Sequence, residues 1–292
     1  MGARERAGDG VHVQRHPPES DAGVSRRGAV RARHGRARGG AEARDEPRRL
    51  RGGRRTRRHA GDGRVRRRDR GDHATEVPAR VILDLHLHSE LSDDSRAPVE
   101  AYLKVLQRKR AERPLDGIVL TEHRQFDPAR DYRALEDRYG FLILNAAEVE
   151  TDYGHVLVYG VNPDILARFD FSDVRLSAQA LVTDVARLGG IALPCHPGRA
   201  TVGLCDHYQR KPPLEGVVAV EALNGGSKKG EEARVEELVQ RLGYKAYGGS
   251  DSHLVSFVGV CATEFDAPIR SMDDLVAQLR DGRYRPVDFR AR

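Results

Sequence analysis

The stretch Val81-Ile82-Leu83-Asp84-Leu85-His86-Leu87-His88 is a run of mostly apolar residues that ends in two imidazoles. From it onward, short apolar runs alternate with helical patterns, the signature of βα units and a mostly parallel sheet, so the expected fold class is α/β. Seven strands are expected, over 81–88, 117–123, 141–149, 155–159, 190–196, 217–222 and 245–250. Helices are expected over 98–110, where Pro98 sits in the first turn, and over 131–139, 176–188, 230–242 and 272–279; Gly243 makes a natural stop for the fourth. A further apolar run at 257–263 is a candidate extra strand.

The placement of the polar residues along these runs carries the most information. Six of the seven strands end in, or run straight into, a His or an acid: His86 and His88, His123, Glu148, His196, Glu221, then Asp251 and His253. The remaining strand opens with His155. In parallel α/β folds the carboxyl ends of the strands converge on one face, where active sites are built. Of the His in 81–292, only His207 falls away from a strand.

Upstream of Val81 the composition is different. Residues 1–80 hold 23 Arg, no Lys and 11 acids, a net charge of +12, whereas residues 81–292 carry −6, and the whole chain +6. The first segment has one Leu (Leu50) and no Ile, Phe, Tyr or Trp. It lacks the side chains whose burial could offset about 1–2 kcal/mol of backbone entropy per residue, and residues 1–77 are expected to be disordered. Its Arg clusters could neutralise phosphates, but no aromatic is interleaved for base stacking. The Arg, Gly and Ala bias also suits translation upstream of the real start, near residue 78, and an inert tail is a third reading. A mitochondrial presequence fits poorly with 11 acids. Residues 78–292 are expected to form one domain of the barrel type.

No stretch approaches the roughly 20 apolar residues of a membrane span, and no apolar run follows the basic start to serve as a secretory signal. Three Cys, Cys195, Cys205 and Cys261, without CxxC spacing, make neither a disulfide framework nor a thiolate zinc site. A cytoplasmic, reducing location is expected.

His86 and His88 lie two apart, on one face of a strand, where both can ligate one metal. Asp93, in the Ser92-Asp93-Asp94-Ser95 loop, offers a hard oxygen, though Asp is an ordinary turn former there. His123, Glu148 and His196 each follow a buried run, where an unpartnered titratable group is costly. Any one of them has an ordinary explanation as a hydrogen-bonded core residue; separate ordinary explanations for all of them are improbable together. Asp251-Ser252-His253 repeats the two-apart spacing after Gly248-Gly249, where glycine lets backbone approach closely. No G-x-S-x-G elbow marks Ser89, Ser250 or Ser252 as a nucleophile, and neither a dinucleotide fingerprint nor a P-loop is present. His and carboxylates without thiolate suit Zn²⁺, Mn²⁺ or Fe²⁺. Six His and three acids exceed the needs of one ion, and a pair of ions about 3.5–4 Å apart can generate hydroxide at neutral pH and clamp a phosphoryl displacement.

Asp84-Leu85-His86-Leu87-His88-Ser89 with Ser92-Asp93, then Leu120-Thr121-Glu122-His123, Glu148, Gly154-His155-Val156-Leu157, His196-Pro197 and Gly249-Ser250-Asp251-Ser252-His253 resemble, in order, the motifs of the PHP (polymerase and histidinol phosphatase) family. The resemblance implies a distorted (β/α)7 barrel with a trinuclear metal site. It would put His86, His88, Glu148 and Asp251 on a first metal, Glu148 bridging to a second held by His155 and His196, and Asp93, His123 and His253 on a third. It further implies that a hydroxide between metals attacks phosphorus. Arg199, in His196-Pro197-Gly198-Arg199, is the candidate phosphate clamp, which with His196 and Asp251 makes the candidate catalytic set. Two departures touch no expected ligand: the family commonly has Thr-Asp-His for Thr121-Glu122-His123 and Ser-Asp-Gly for Ser92-Asp93-Asp94. Glu221 and Asn224 are placed to shape a substrate pocket.

The expected activity is that of a hydrolase: a metal-dependent phosphoesterase acting on a small phosphorylated substrate, a nucleotide or a metabolite phosphate such as histidinol phosphate, with two or three divalent ions. The alternatives are a nuclease or proofreading activity, disfavoured by the acidic balance of 81–292, and a catalytically idle metal-binding module.

Overall fold

The computed structural model describes residues 80–290; the expectations for the Arg-rich segment 1–77 lie outside the described residues. All seven expected strands form within a few residues of their expected bounds. They are β1 (Val81–Leu87), β2 (Gly117–His123), β3 (Leu142–Thr151), β4 (Gly154–Tyr159), β5 (Ile191–Pro194), β6 (Ala219–Asn224) and β7 (Lys245–Gly249), followed by β8 (Cys261–Phe265) and β9 (Tyr284–Asp288). The helices are α1 (Val99–Arg108), α2 (Arg133–Tyr139), α3 (Pro163–Arg168), α4 (Ala178–Arg187), α5 (Leu204–His207), α6 (Glu231–Leu242) and α7 (Met272–Asp281). α1 buries Val99, Tyr102, Leu103 and Leu106, a stripe at helical spacing. Ser177 caps α4 by accepting from the Ala180 N–H, and α6 ends on left-handed Gly243.

The α/β class holds, but the sheet is mixed rather than mostly parallel. Its seven strands run in the order β5-β4-β3-β2-β1-β8-β9, with β6 and β7 forming a separate parallel pair. β1, β2 and β3 are parallel; β4 runs antiparallel to β3, because only Asp152 and Tyr153 join them, far too few for a crossover. Antiparallel pairing explains why His155 opens its strand: the start of β4 lies at the same rim as the end of β3. β9 carries Pro286 and takes the sheet edge, where a missing N–H is tolerated.

β6 and β7 stand between β5 and β1 and bring the curled sheet back on itself. The buried Tyr247 hydroxyl donates to the Pro194 carbonyl (3.1 Å), the His196 N–H donates to Glu221 (2.7 Å), and the Asp251 N–H donates to the His86 carbonyl (2.8 Å). The inner face is apolar at its base, where Leu83, Leu85, Val119, Leu157, Leu193 and Tyr247 form one cluster against α7. The outer face packs Ile118 and Leu120 against α1, and Val156 and Val158 against α4.

A bulge in β1 decides what its end presents. Asp84 pairs with Ile118 and Leu87 with Leu120, so β1 spends three steps where β2 spends two. Leu83 and Leu85 therefore face the inner cluster while Leu87 joins the outer one with α1. His86 and His88 are turned inward by the same shift. Among the described residues no helix is long and apolar enough to cross a membrane.

Candidate metal centre

The inward side chains at the rim are polar, and they meet. The β2–β3 register sets His123 opposite Glu148. The buried Glu148 carboxylate lies at the middle: Oε2 is 2.9 Å from His86 Nε2 and 3.0 Å from His88 Nε2, and Oε1 is 2.7 Å from His155 Nδ1 and 3.0 Å from His196 Nε2. His123 Nδ1 stands 3.5 Å away. Asp251 Oδ1 lies 3.4 Å from both His86 and His88, and 3.7 Å from His253 Nδ1. Among the described residues three groups have donor atoms close enough to hold an ion: His86, His88, Glu148 and Asp251; His86, Glu148, Cys195 and His196; and His88, His123 and His253.

Backbone strain sits at the same rim. His196 (φ 30°), Asp251 (φ 51°) and Arg124 (φ 54°) are three of the four non-glycine residues with positive φ among the described residues. Such conformations cost of order 1–3 kcal/mol each and persist where surrounding contacts impose them. For Asp251 those contacts include Asp84, wholly buried, which accepts from the N–H groups of Ser250 (2.8 Å), Gly259 (2.9 Å) and His86 (3.3 Å). Burial pushes the Asp84 carboxyl up to about 6 despite these bonds. Gly249 has no room for a side chain, since a Cβ would lie 2.4 Å from that of His86.

A layer of partners behind the imidazoles fixes which nitrogen faces inward. His86 Nδ1 is 3.0 Å from Glu221 Oε1, an acceptor, so Nδ1 donates there and Nε2 is the nitrogen turned toward Glu148. The Ser92 hydroxyl donates to Glu122 (2.6 Å), so its contact with His88 Nδ1 (3.2 Å) makes that nitrogen the donor and turns Nε2 inward. His253 Nδ1 donates to the Asp251 carbonyl (3.0 Å), with the same result. Glu122 also accepts from the Ser89 hydroxyl (2.5 Å), so this Glu anchors the loop after β1.

These inward nitrogens crowd around two carboxylates, and a cation in place of their protons would satisfy all of them at once. His86 Nε2 and His88 Nε2 are 3.1 Å apart. Burial opposes a charged ring at His86, but Glu221, Asp251 and Glu148 outweigh it and lift its pKa well above the ordinary value; burial opposes it at His88 too, but the hydrogen bonds that its ring donates to Asp251 and Glu148 outweigh this and lift its pKa to about 9. Burial works against ionised Glu148 and Asp251 as well, yet His86 and the other imidazoles hold both far below the usual range. At His123 burial prevails and the pKa falls. The field that draws protons onto His86 and His88 is one that a divalent ion would exploit, displacing them. His196 Nδ1 is buried with no protein partner. The residues present fit a multinuclear divalent-metal site.

The structure brings together eight of the nine expected ligands: His86, His88, His123, Glu148, His155, His196, Asp251 and His253. Asp93 is turned away, exposed and ion-paired with Arg124. Asp94 takes the inner position, with Oδ2 3.1 Å from His253 Nε2 and 3.3 Å from His123 Nε2. Arg199 reaches the rim, donating to Asp251 Oδ2 at 2.5 Å; Asp251 outweighs burial and raises the guanidinium pKa. Asn224 donates to Glu221 (2.9 Å) and Asp251 (3.3 Å). Cys195, not expected here, lies 3.4 Å from both Glu148 Oε1 and His196 Nε2, and burial with its acidic neighbours keeps it a thiol. Its apolar strand context gave no sign of this position, whereas the doubled acid Asp93-Asp94 did mark the loop as unusual.

No curated protein matches the chain in sequence. Among solved structures the fold is similar to that of PsfC from Pseudomonas syringae PB-5123, with 21% identity, coverage of 72% of this chain and 91% of that one, and a TM-score of 0.53. It is also similar to the lesion-specific endonuclease PfuEndoQ from Pyrococcus furiosus (14% identity, 71% of this chain and 57% of that one, TM-score 0.53). A third similar structure is Endonuclease Q bound to a 27-mer duplex with an abasic lesion (13% identity, 70% and 58%, TM-score 0.52). The chain thus spans under two thirds of either endonuclease. The PHP-associated family model matches residues 231–284, from α6 to the start of β9 and including Asp251 and His253. The chain is PHP-like on two counts, the ordered motifs of its sequence and this family match across its carboxy-terminal part.

Proposed function

We propose that the protein is a metal-dependent phosphoesterase, a hydrolase acting on a small phosphate ester such as a nucleotide or a metabolite phosphate. The observation that carries this reading is the meeting of four imidazoles on the single buried carboxylate of Glu148 with Asp251 beside it. In this reading β1 to β7 make the distorted (β/α)7 barrel. His86, His88, Glu148 and Asp251 hold one ion, Glu148 with His155 and His196 a second, and His123 and His253 a third, with Asp94 in the position expected of Asp93. Bound divalent ions, Mn²⁺, Zn²⁺ or Fe²⁺, supply Lewis acidity, acidifying water to near-neutral pKa and offsetting charge on phosphoryl oxygens.

The protein's own groups do the positioning. Glu221 and Ser92 aim His86 and His88, and Asp84 holds the strained Asp251 loop. Arg199, kept at the rim by Asp251 and Asn224 (3.4 Å), offers its guanidinium to phosphate oxygens. The three thiols are free and suit a reducing compartment such as the cytoplasm.

A nuclease is the second reading, favoured by the fold shared with the two endonuclease structures. The net charge of −6 over residues 81–292 opposes tracking along a phosphate backbone. The test is turnover by the full chain, chelated and then supplied with Mn²⁺, of phenyl phosphate, a bis-ester, mononucleotides, histidinol phosphate, single-stranded DNA and an abasic duplex. Metal-restored release from a small monoester is the expected result. Cleavage of DNA alone would replace this reading with the nuclease, and silence throughout with an idle metal-binding module.

A further inference from the structure

Next to the cluster, and sharing Asp251 and His253 with it, is a cavity of about 200 Å³ bordered also by Gly225, Gly226, Leu254 and Phe257. One wall is apolar. Leu254 is 63% exposed and Phe257 48%, two of the four large hydrophobic residues so exposed among the described residues. A single exposed apolar residue needs no explanation, but two side by side at the mouth of a polar centre form a patch.

These side chains stand on a fixed turn, Val255–Phe257, rather than a loose one. The Phe257 N–H donates to the Leu254 carbonyl (2.9 Å), which also accepts from the Ser252 hydroxyl (2.7 Å). Arg113 donates to the Ser256 (3.2 Å) and Val258 (2.6 Å) carbonyls, and Val255 packs into the cluster under α1. The apolar wall is therefore anchored from behind and offered to solvent in front.

Gly225 and Gly226 border the cavity with backbone alone. A Cβ on Gly226 would meet Arg199 Nη2 and Asn224 Oδ1, each at 3.2 Å, and one on Gly225 would lie 2.3 Å from the Ser250 carbonyl oxygen. A border of glycine backbone with an aromatic and a Leu leaves room for a planar ring to lie on Phe257. Its volume falls below the roughly 300–1,000 Å³ of pockets that enclose whole drug-sized ligands, so it suits one ring system and not a complete substrate. Asp251 and His253 line both the slot and the candidate metal cluster, so a group in the slot would be the part of a substrate attached to a phosphate held at that cluster.

We propose that this slot binds the leaving group, and that the substrate is a phosphate ester of an alcohol carrying a planar ring, an aryl alcohol or a nucleoside, stacked on Phe257. The proposal rests on the phosphoesterase reading of the neighbouring cluster. Ring-free esters such as glycerol phosphate lose this contact.

A binding experiment separates the slot from the chemistry. Phenylphosphonate and methylphosphonate, neither hydrolysable, are titrated by calorimetry into the Mn²⁺-loaded full chain, wild type and the Phe257→Ala and Phe257→Tyr variants. The wild type should bind phenylphosphonate roughly tenfold more tightly, a preference lost in Phe257→Ala and retained in Phe257→Tyr, with methylphosphonate affinity unchanged in all three. Equal affinity for both phosphonates in the wild type, or equal weakening of both in Phe257→Ala, would overturn the slot. Adenosine 5′-monophosphate against ribose 5-phosphate then distinguishes the sources of the ring: a preference for the former assigns a nucleobase, and a preference confined to the phenyl compound an aryl ester. Retained ring preference with no turnover of any ester would sink the phosphoesterase reading and leave the slot standing.

Discussion

Asp93 and Asp94 are chemically identical neighbours with opposite roles. Asp93 is committed to Arg124, which also donates to Glu150 at 2.7 Å, whereas Asp94 completes a triangle with His123 and His253. Sequence spacing could place an oxygen donor in this loop but not choose between adjacent carboxylates, because the choice is made by a guanidinium carried in from the end of β2. If Asp94 is the ligand, Asp94→Asn lowers the metal content of the purified chain by about one ion per chain, read by elemental analysis, and Asp93→Asn leaves it unchanged. The reverse pattern would return Asp93 to the role the resemblance implies. Glu122 illustrates the other kind of departure from the family pattern: its longer side chain reaches Ser89 and Ser92, and through Ser92 orients His88. A departure that touches no expected ligand thus supports a candidate one.

The elements hold the rim in register through a small number of buried polar bonds. The Tyr102 hydroxyl on α1 shares its one proton between the His88 (2.8 Å) and Ser252 (3.0 Å) carbonyls, joining the helix to the two segments that carry candidate ligands. Burial raises its pKa to about 12, so it remains a donor. Tyr102→Phe should cost about 1–2 kcal/mol in chemical denaturation, since two buried carbonyls lose a donor, and should also weaken metal affinity. A stability loss with metal affinity untouched would confine Tyr102 to a packing role. At this scale much was legible beforehand: each strand ended where an imidazole or acid interrupted an apolar run, and those interruptions are the rim. The direction of β4 was also present, in the His that opens it, but could be read only once the two-residue turn before Gly154 was known to be a hairpin. The bulge in β1 was not legible, because Leu83 to His88 alternates without a break and the extra residue exists only relative to β2. α3, α5 and β9 escaped for a simpler reason: each is six residues or fewer, too short to establish a period.

The fold of residues 80–290 places an apolar base beneath a rim of charge. Leu83, Leu85, Val119, Leu157, Leu193 and Tyr247 fill the inner base of the curled sheet, and the ends of the strands bring six imidazoles and several carboxylates toward one another. Ions binding there stabilise the folded state by mass action, because the site does not exist in the unfolded chain. The melting temperature of the full chain should fall on chelation and rise with added Mn²⁺ in a concentration-dependent way; a melting temperature indifferent to both would mean that the cluster holds no ion.

The central claim, that Glu148 organises a metal-dependent phosphoesterase, is tested most directly by phosphate release from phenyl phosphate. The full chain and its Glu148→Gln variant are compared after chelation, with and without Mn²⁺ restored. The account predicts metal-dependent release by the wild type and a loss of at least about a hundredfold in the variant, with its folded circular dichroism retained. Equal release by both chains, or release indifferent to metal, would contradict it.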